Sequence, residues 1–239
     1  MNIHQVTILP LSRYTEEKTE SNVLKKYKHT YTTMMYRRTP VELLENLYMG
    51  DLAKNALLEY LRPRCSHSIT DFDEVRSDRF LLPDPGWDMK VGKAQVKLEV
   101  KSSIPPNQES PDDIIRLRDI KITASHDNGK TWIKPEEIES EIHVQVYFFT
   151  RTSKGVYKDF ELLFQDLERE ENAIFRILDT SRFKEPRFFG WNHRKNIIRY
   201  TQTLKPHTWG FPRTKRIYYR CPISEAFSLP QLITHINTL

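Results

Sequence analysis

From Thr39 to Leu61 apolar residues recur at helical spacing. Val41, Leu44, Tyr48 and Leu52 make one face, and Leu57 and Leu61 continue it. Thr39, Pro40 and Glu42 supply a cap, a proline at the first helical position and an acid three after the cap. Arg62-Pro63 closes the run, so the pattern predicts one helix from Pro40 to about Leu61. Gly50 lies inside it at a cost of about 1 kcal/mol relative to alanine, which marks a kink, a close approach or a division into two helices. The period then changes from helical to alternating. Val96, Leu98 and Val100 alternate with Lys97, Glu99 and Lys101, which predicts a strand with one apolar and one charged face. Gly92-Lys93 reads as a two-residue turn joining it to a strand over Trp87–Val91.

Weaker signals fill in the rest of the chain. Val6–Leu9 reads as a short strand, Asp112–Leu117 as a helical turn or more, and Ile120–Ala124 as a strand. Pro83-Asp84-Pro85-Gly86 and Asp127-Asn128-Gly129-Lys130 read as turns. Glu141–Thr150, with Ile142, Val144, Val146, Phe148 and Phe149, has the composition of a buried strand, and Phe160–Leu178 is compatible with a helix. Residues 25–36 are basic and rich in Tyr and Thr, and no period there assigns an element. Without a repeat or a linker, these patterns predict a single α/β domain over 1–239 with a C-terminal elaboration.

Composition narrows the function classes. At 38% hydrophobic and 29% charged, with no run of about 18 apolar residues, a membrane protein is not expected. The first residues lack a basic leader and a cleavage pattern, so a cytoplasmic address is expected. Cys65 and Cys221 stand too far apart for a disulfide scaffold or a zinc motif. The net charge of +5 is unevenly spread: between Arg182 and Arg220, eleven Lys and Arg stand against the single acid Glu185. Arg187, Arg194, Lys195, Arg199, Arg213, Lys215 and Arg216 are the candidate phosphate contacts. Phe183, Phe188, Phe189, Trp191, Tyr200, Trp209, Phe211, Tyr218 and Tyr219 interleave with them, as faces for unstacked bases would. The alternation over Arg216–Arg220 also fits an ordinary half-buried strand whose aromatics belong to the core.

A two-residue turn at Gly92-Lys93 would set Asp88 opposite Lys97 and diagonal to Glu99. Asp88, Glu99 and Lys101 would then share a face, with Val96, Leu98 and Val100 on the other. Diagonal neighbours about 7–8 Å apart can converge on one divalent cation at roughly 2.1 Å per bond, and a one-residue slip would turn Asp88 away. Two carboxylates and a lysine suit metal-assisted phosphodiester hydrolysis: the cation neutralises phosphate charge while the ammonium orients water or stabilises developing charge. His143, Gln145 and Tyr147 share a face of the later strand. Beside Glu99, His143 or Gln145 would reach a phosphate or a water, although such residues more often satisfy local hydrogen bonds. No serine-hydrolase elbow, phosphate-binding loop, dinucleotide fingerprint or His-Glu-x-x-His is present.

Asp88, the short hairpin and Leu98-Glu99-Val100-Lys101-Ser102-Ser103 resemble the PD-(D/E)XK nuclease superfamily, which includes type II restriction endonucleases and Holliday-junction resolvases. The resemblance covers about residues 40–150. It implies a restriction-endonuclease-like core, a central mixed sheet flanked by helices, elaborated by the basic segment at about 182–220. It further implies that Asp88, Glu99 and the Val100 carbonyl bind Mg²⁺, with Mn²⁺ able to substitute, and that Lys101 helps activate water. The helix ahead of the hairpin commonly bears an additional acid, for which Asp51 in Gly50-Asp51-Leu52-Ala53 and Glu45 compete. The family's Pro-Asp pair occurs at Pro83-Asp84, whereas hairpin geometry favours Asp88. The expectation is a Mg²⁺-dependent endonuclease on double-stranded DNA, foremost a sequence-specific type II restriction enzyme acting as a homodimer. The alternatives are a structure-directed repair or recombination nuclease and a non-catalytic DNA-binding module.

Overall fold

A computed structural model describes residues 1–34, 40–82, 85–105, 109–126, 131–149, 178, 180–211 and 214–239. In chain order these form β1 (Thr7–Ile8), α1 (Arg13–Met34), α2 (Pro40–Leu61), β2 (Ile69–Asp71), α3 (Phe72–Val75), β3 (Met89–Val91), β4 (Val96–Ser103), α4 (Pro111–Leu117) and β5 (Ile122–His126). They continue with β6 (Thr131–Trp132), β7 (Ile142–Phe148), β8 (Pro186–His193), α5 (Arg194–Thr203), β9 (His207–Phe211), β10 (Thr214–Tyr219) and α6 (Leu229–Asn237). The fold is α/β. Six strands form a mixed sheet in the order β1-β8-β7-β4-β3-β2, in which only β4 and β7 run parallel; a second, antiparallel sheet has the order β6-β5-β10-β9.

Period-2 alternation divides the strands between two cores. Leu98 and Val100 of β4, with Ile142, Val144, Val146 and Phe148 of β7, pack against the buried leucines of α2 and against Leu229, Leu232 and Ile236 of α6. The opposite face of β7 presents Tyr147 to a second core with Phe189, Ile114 and Ile115 of α4, Ile122 and Ala124 of β5, and Ile197 and Tyr200 of α5. Every residue of β7 is buried, as its near-continuous apolar run requires. Helix α2 packs against β4, β8 and α1.

Helix α2 runs unbroken through Gly50, where an added Cβ would meet nothing within 4 Å, so this glycine marks neither a boundary nor a close approach. Helix α1 covers the stretch that has no sequence period. Its buried positions include Val23 and Tyr27, which join the core, together with Thr15, Thr19, Asn22 and Lys26, polar side chains that find partners on α2 and around α3. The Ile120–Ala124 strand starts later, at Ile122, because the amides of Ile120 and Lys121 go to the Cys221 carbonyl and the Gln145 side chain. The Glu141–Thr150 strand is Ile142–Phe148. The Phe160–Leu178 helix and the Asp127–Lys130 turn lie outside the described residues, apart from Leu178, which is buried.

The aromatic positions of the basic segment are largely interior. Phe183, Phe188, Phe189, Trp191, Tyr200, Tyr218 and Tyr219 are buried, so the core reading holds for them and they offer no open faces to bases. Strand β8 is a member of the central sheet, between β1 and β7. Among the described residues no helix is long and apolar enough to cross a membrane.

Candidate active site

The hairpin register differs from the two-residue turn. Met89 pairs with Leu98, Lys90 with Lys97 and Val91 with Val96, so Gly92–Gln95 forms a four-residue connection, with Gly92 (φ 65°) and Gln95 (φ 55°) both left-handed. The slip is two residues, which preserves side-chain parity. Asp88 lies just ahead of the paired residues: its N–H donates to the Leu98 carbonyl and its carboxylate accepts from the Val100 amide, which brings it between Glu99 and Lys101 along β4.

Strand β4 meets β7 in parallel register, Glu99 beside His143 and Lys101 beside Gln145. The Lys101 Nζ sits 2.5 Å from Glu99 Oε1, and His143 Nδ1 lies 3.1 Å from Glu99 Oε2. His143 Nε2 is 3.0 Å from the Ser140 carbonyl, an acceptor only, so this nitrogen carries a proton. Asp88 Oδ2 accepts from the Val100 amide at 2.6 Å. A strand residue directs its N–H and C=O to the same neighbour, so the Val100 carbonyl leaves β4 on the Asp88 side.

Burial drives the Asp88 carboxyl up to about 6; the Val100 N–H and the Lys54 charge pull against it, and the Glu99 charge adds to it. Burial also pushes Glu99 upward, but Lys101 and His143 overcome that and hold it down at about 2. Lys101 is raised, because Glu99 and then Asp88 outweigh the burial of its ammonium. Opposed shifts on two adjacent carboxylates are characteristic of sites that handle protons and cations.

Hard oxygen donors of this kind fit Mg²⁺. That ion is commonly held by one or two carboxylates together with waters and substrate phosphates, not by a protein-only cage. Among the described residues no three His, Cys, Asp or Glu side chains are gathered as a metal site. The donors on this face are Asp88, Glu99 and the Val100 carbonyl, and the rest of the shell would come from water and substrate.

The other candidates lie elsewhere. Asp51 is buried and bonded to Lys26 at 2.7 Å, with its Oδ2 unpartnered. It belongs to a cluster in which Lys18, Lys26, Lys54 and Arg76 interlock with Asp51, Asp71, Asp73 and Glu74. Glu45 pairs with Arg182 at 2.6 Å. Neither acid bonds to the hairpin site. Gln145 is fully buried and braces the two sheets, its amide donating to Ser103 Oγ and its carbonyl accepting from the Lys121 amide. Asp84 and Arg213 lie outside the described residues.

Of the candidate phosphate contacts, Lys195 and Arg199 are exposed one helical turn apart on α5. Arg187 bonds to Glu185 and lies over the Phe149 ring, and Arg194 donates to the Ile138 carbonyl. Lys215 and Arg216 sit on β10, across from Gly210 and Trp209 of β9.

One contributor was not read from the sequence. Lys54, nearly inaccessible, bonds to Asp71 and Asp73 and pulls on Asp88 through its charge; its only sequence signal is a lysine three after Asp51 in the middle of α2. A comparison of the chain with protein-family models, curated proteins and solved structures finds no match.

Proposed function

We propose that this chain is a Mg²⁺-dependent endonuclease that hydrolyses phosphodiester bonds of double-stranded DNA on a restriction-endonuclease-like core. One observation carries the reading: Glu99 and Lys101 share the face of β4 that turns away from the buried one, Lys101 and His143 each bond to a different oxygen of Glu99, and Asp88, bonded to the Val100 amide between them, feels the charges of both. Surface Glu-x-Lys pairs are common; a pair held on both sides with a half-buried carboxylate beside it is not what surface solvation alone would produce.

A divalent cation at this site would neutralise phosphate charge and make water a better nucleophile near neutral pH. Asp88 and Glu99 would hold it with the Val100 carbonyl. Lys101 would orient the attacking water and stabilise charge developing on the phosphate. His143 keeps Glu99 from swinging away, and the Val100 amide does the same for Asp88. Lys195 and Arg199 would track the phosphate backbone without reading sequence. Cutting both strands of a palindrome needs two such sites, which a two-fold homodimer provides.

Purified protein incubated with supercoiled plasmid in Mg²⁺ and in EDTA tests the reading. Cleavage confined to Mg²⁺ or Mn²⁺, in discrete fragments, is the expected result for a sequence-specific enzyme. A smear of products favours a structure-directed or non-specific nuclease. Equal DNA binding in both buffers with no cutting would replace the reading with a binding module.

A further inference from the structure

The face of the hairpin that carries Glu99 and Lys101 continues past them. Alternation along β4 puts Lys97 on it, two residues before Glu99, and Lys90 of β3 stands directly across from Lys97. Met89 and Val91, on either side of Lys90, are buried in the core, so Lys90 is directed to the same side as Glu99. Lys101 lies two residues beyond Glu99. The carboxylates are therefore flanked by cations in both directions along β4, each two-residue step spanning roughly 7 Å.

Like charges directly opposite one another destabilise an antiparallel pair. Lys97 offsets that repulsion by pairing with Glu139 at 2.9 Å, and Lys101 pairs with Glu99. Lys90 has no acidic partner among the described residues; its ammonium stands 4.7 Å from the centre of the Trp87 ring. That ring is buried and meets Phe72 edge-on, so it supports the half-buried Lys90 side chain and offers no surface of its own. A side chain already placed loses less freedom when a ligand arrives. Charge then selects the ligand. Lys90, Lys97 and Lys101 stand with Asp88, Glu99 and Glu139, so a divalent cation at the carboxylates leaves this face with two positive charges, enough for two phosphodiesters. Lys101 serves the one at the cation, and the unpaired ammonium of Lys90 is placed for a neighbour, as a point charge suited to phosphate.

We propose that Lys90 holds the phosphate next to the one being cut, so that the DNA strand lies along β4 with its scissile phosphate at Glu99 and Lys101 and the adjoining phosphate at Lys90. The identity of the scissile phosphate rests on the nuclease reading; contact between Lys90 and a DNA phosphate does not require cutting.

Filter binding of the full chain to linearised, end-labelled plasmid in EDTA, across a range of salt, reads that contact without metal. Lys90→Gln should bind about five- to tenfold more weakly near 0.1 M salt, and its salt dependence should flatten by about 0.9, the share of one phosphate. Lys90→Arg should recover both, because it keeps a cation over the Trp87 ring. Lys90→Met, whose stem still covers that ring, repeats the comparison if Lys90→Gln melts early. Affinity and slope unchanged in both Lys90→Gln and Lys90→Met would overturn the proposal.

Single-turnover cleavage of the plasmid in Mg²⁺ by the same preparations locates the contact. A bond made equally in the ground and transition states raises the protein concentration needed for half-maximal cutting by the same factor of about five to ten and leaves the rate at saturation. A Lys90→Gln protein that binds as wild type but cuts slowly would overturn the assignment, by putting Lys90 on the reacting phosphate. Cutting with no change in salt slope overturns the Lys90 contact alone. The slope change without cutting by any preparation overturns the nuclease reading and leaves the phosphate contact standing.

Discussion

Replacing Asp88 with asparagine should make the protein more stable at neutral and alkaline pH while destroying the proposed site. The carboxyl is raised from 3.8 to about 6, chiefly by burial. A folded-state value above the unfolded one means that the folded chain favours the protonated acid. The associated stability is fully present below about pH 3.8 and is lost as pH rises through about 6. About two units correspond to roughly 3 kcal/mol of penalty for ionised Asp88 at pH 8. Asparagine removes that charge and keeps a side-chain oxygen for the Val100 amide, which Asp88 engages at 2.6 Å. In EDTA, urea unfolding should place D88N about 3 kcal/mol above wild type at pH 8 and level with it below pH 4. In a domain of this length that is a rise in Tm of roughly 6–12 °C at the higher pH. A variant no more stable than wild type at pH 8, or favoured equally at both pH values, would refute the argument that Asp88 is held ionised at a cost.

Lys54→Met should cost about 3–5 kcal/mol, since it leaves the buried Asp71 and Asp73 short of a bonded cation; a loss under 1 kcal/mol by urea titration would show the remaining cations to suffice. Gly190→Ala should cost several kcal/mol, because φ there is +126° and the new Cβ would fall 2.6 Å from that of Ala226. A melt within 2 °C of wild type would contradict that. The double variant K195Q/R199Q should weaken DNA binding evenly across sequences and flatten the salt dependence by about 0.9 for each phosphate no longer neutralised. An unchanged slope would remove this face of α5 from the interface.

The parts of the fold with a clean period were legible. Val41 through Leu61 wrote out α2, and the alternation through Lys101 wrote out β4 and its two faces. Parity protected the site: the connection at Gly92–Gln95 is two residues longer than a tight turn, and an even shift leaves Asp88 and Glu99 together. Gln95 in a left-handed conformation is what concealed the length, since glutamine is not a residue that announces such a turn. Helix α1 was illegible because most of its buried positions beside Val23 and Tyr27 are polar, held by salt bridges and hydrogen bonds that exist only once α2 and α3 are in place, as Lys26 with Asp51 and Asn55 with Thr19 show. Asp51 was drawn toward the site by its position in the helix. Its actual partner, Lys26, lies on a segment with no period at all. The basic segment misled in the opposite direction, because aromatic and cationic residues interleave in any strand with one buried face, and only burial separates Tyr218 and Phe188 from a stacking surface.

The central claim is that Glu99 and Lys101 perform chemistry on DNA rather than merely bind it. Wild type, Glu99→Gln and Lys101→Met should therefore be compared in one experiment that reads both DNA binding and plasmid cleavage in Mg²⁺. The account predicts that both variants bind within a few-fold of wild type and that cutting falls by at least about a hundredfold in each, the scale on which general acid–base and electrostatic groups act. Cleavage undiminished in either variant, with the protein folded and binding intact, would contradict it.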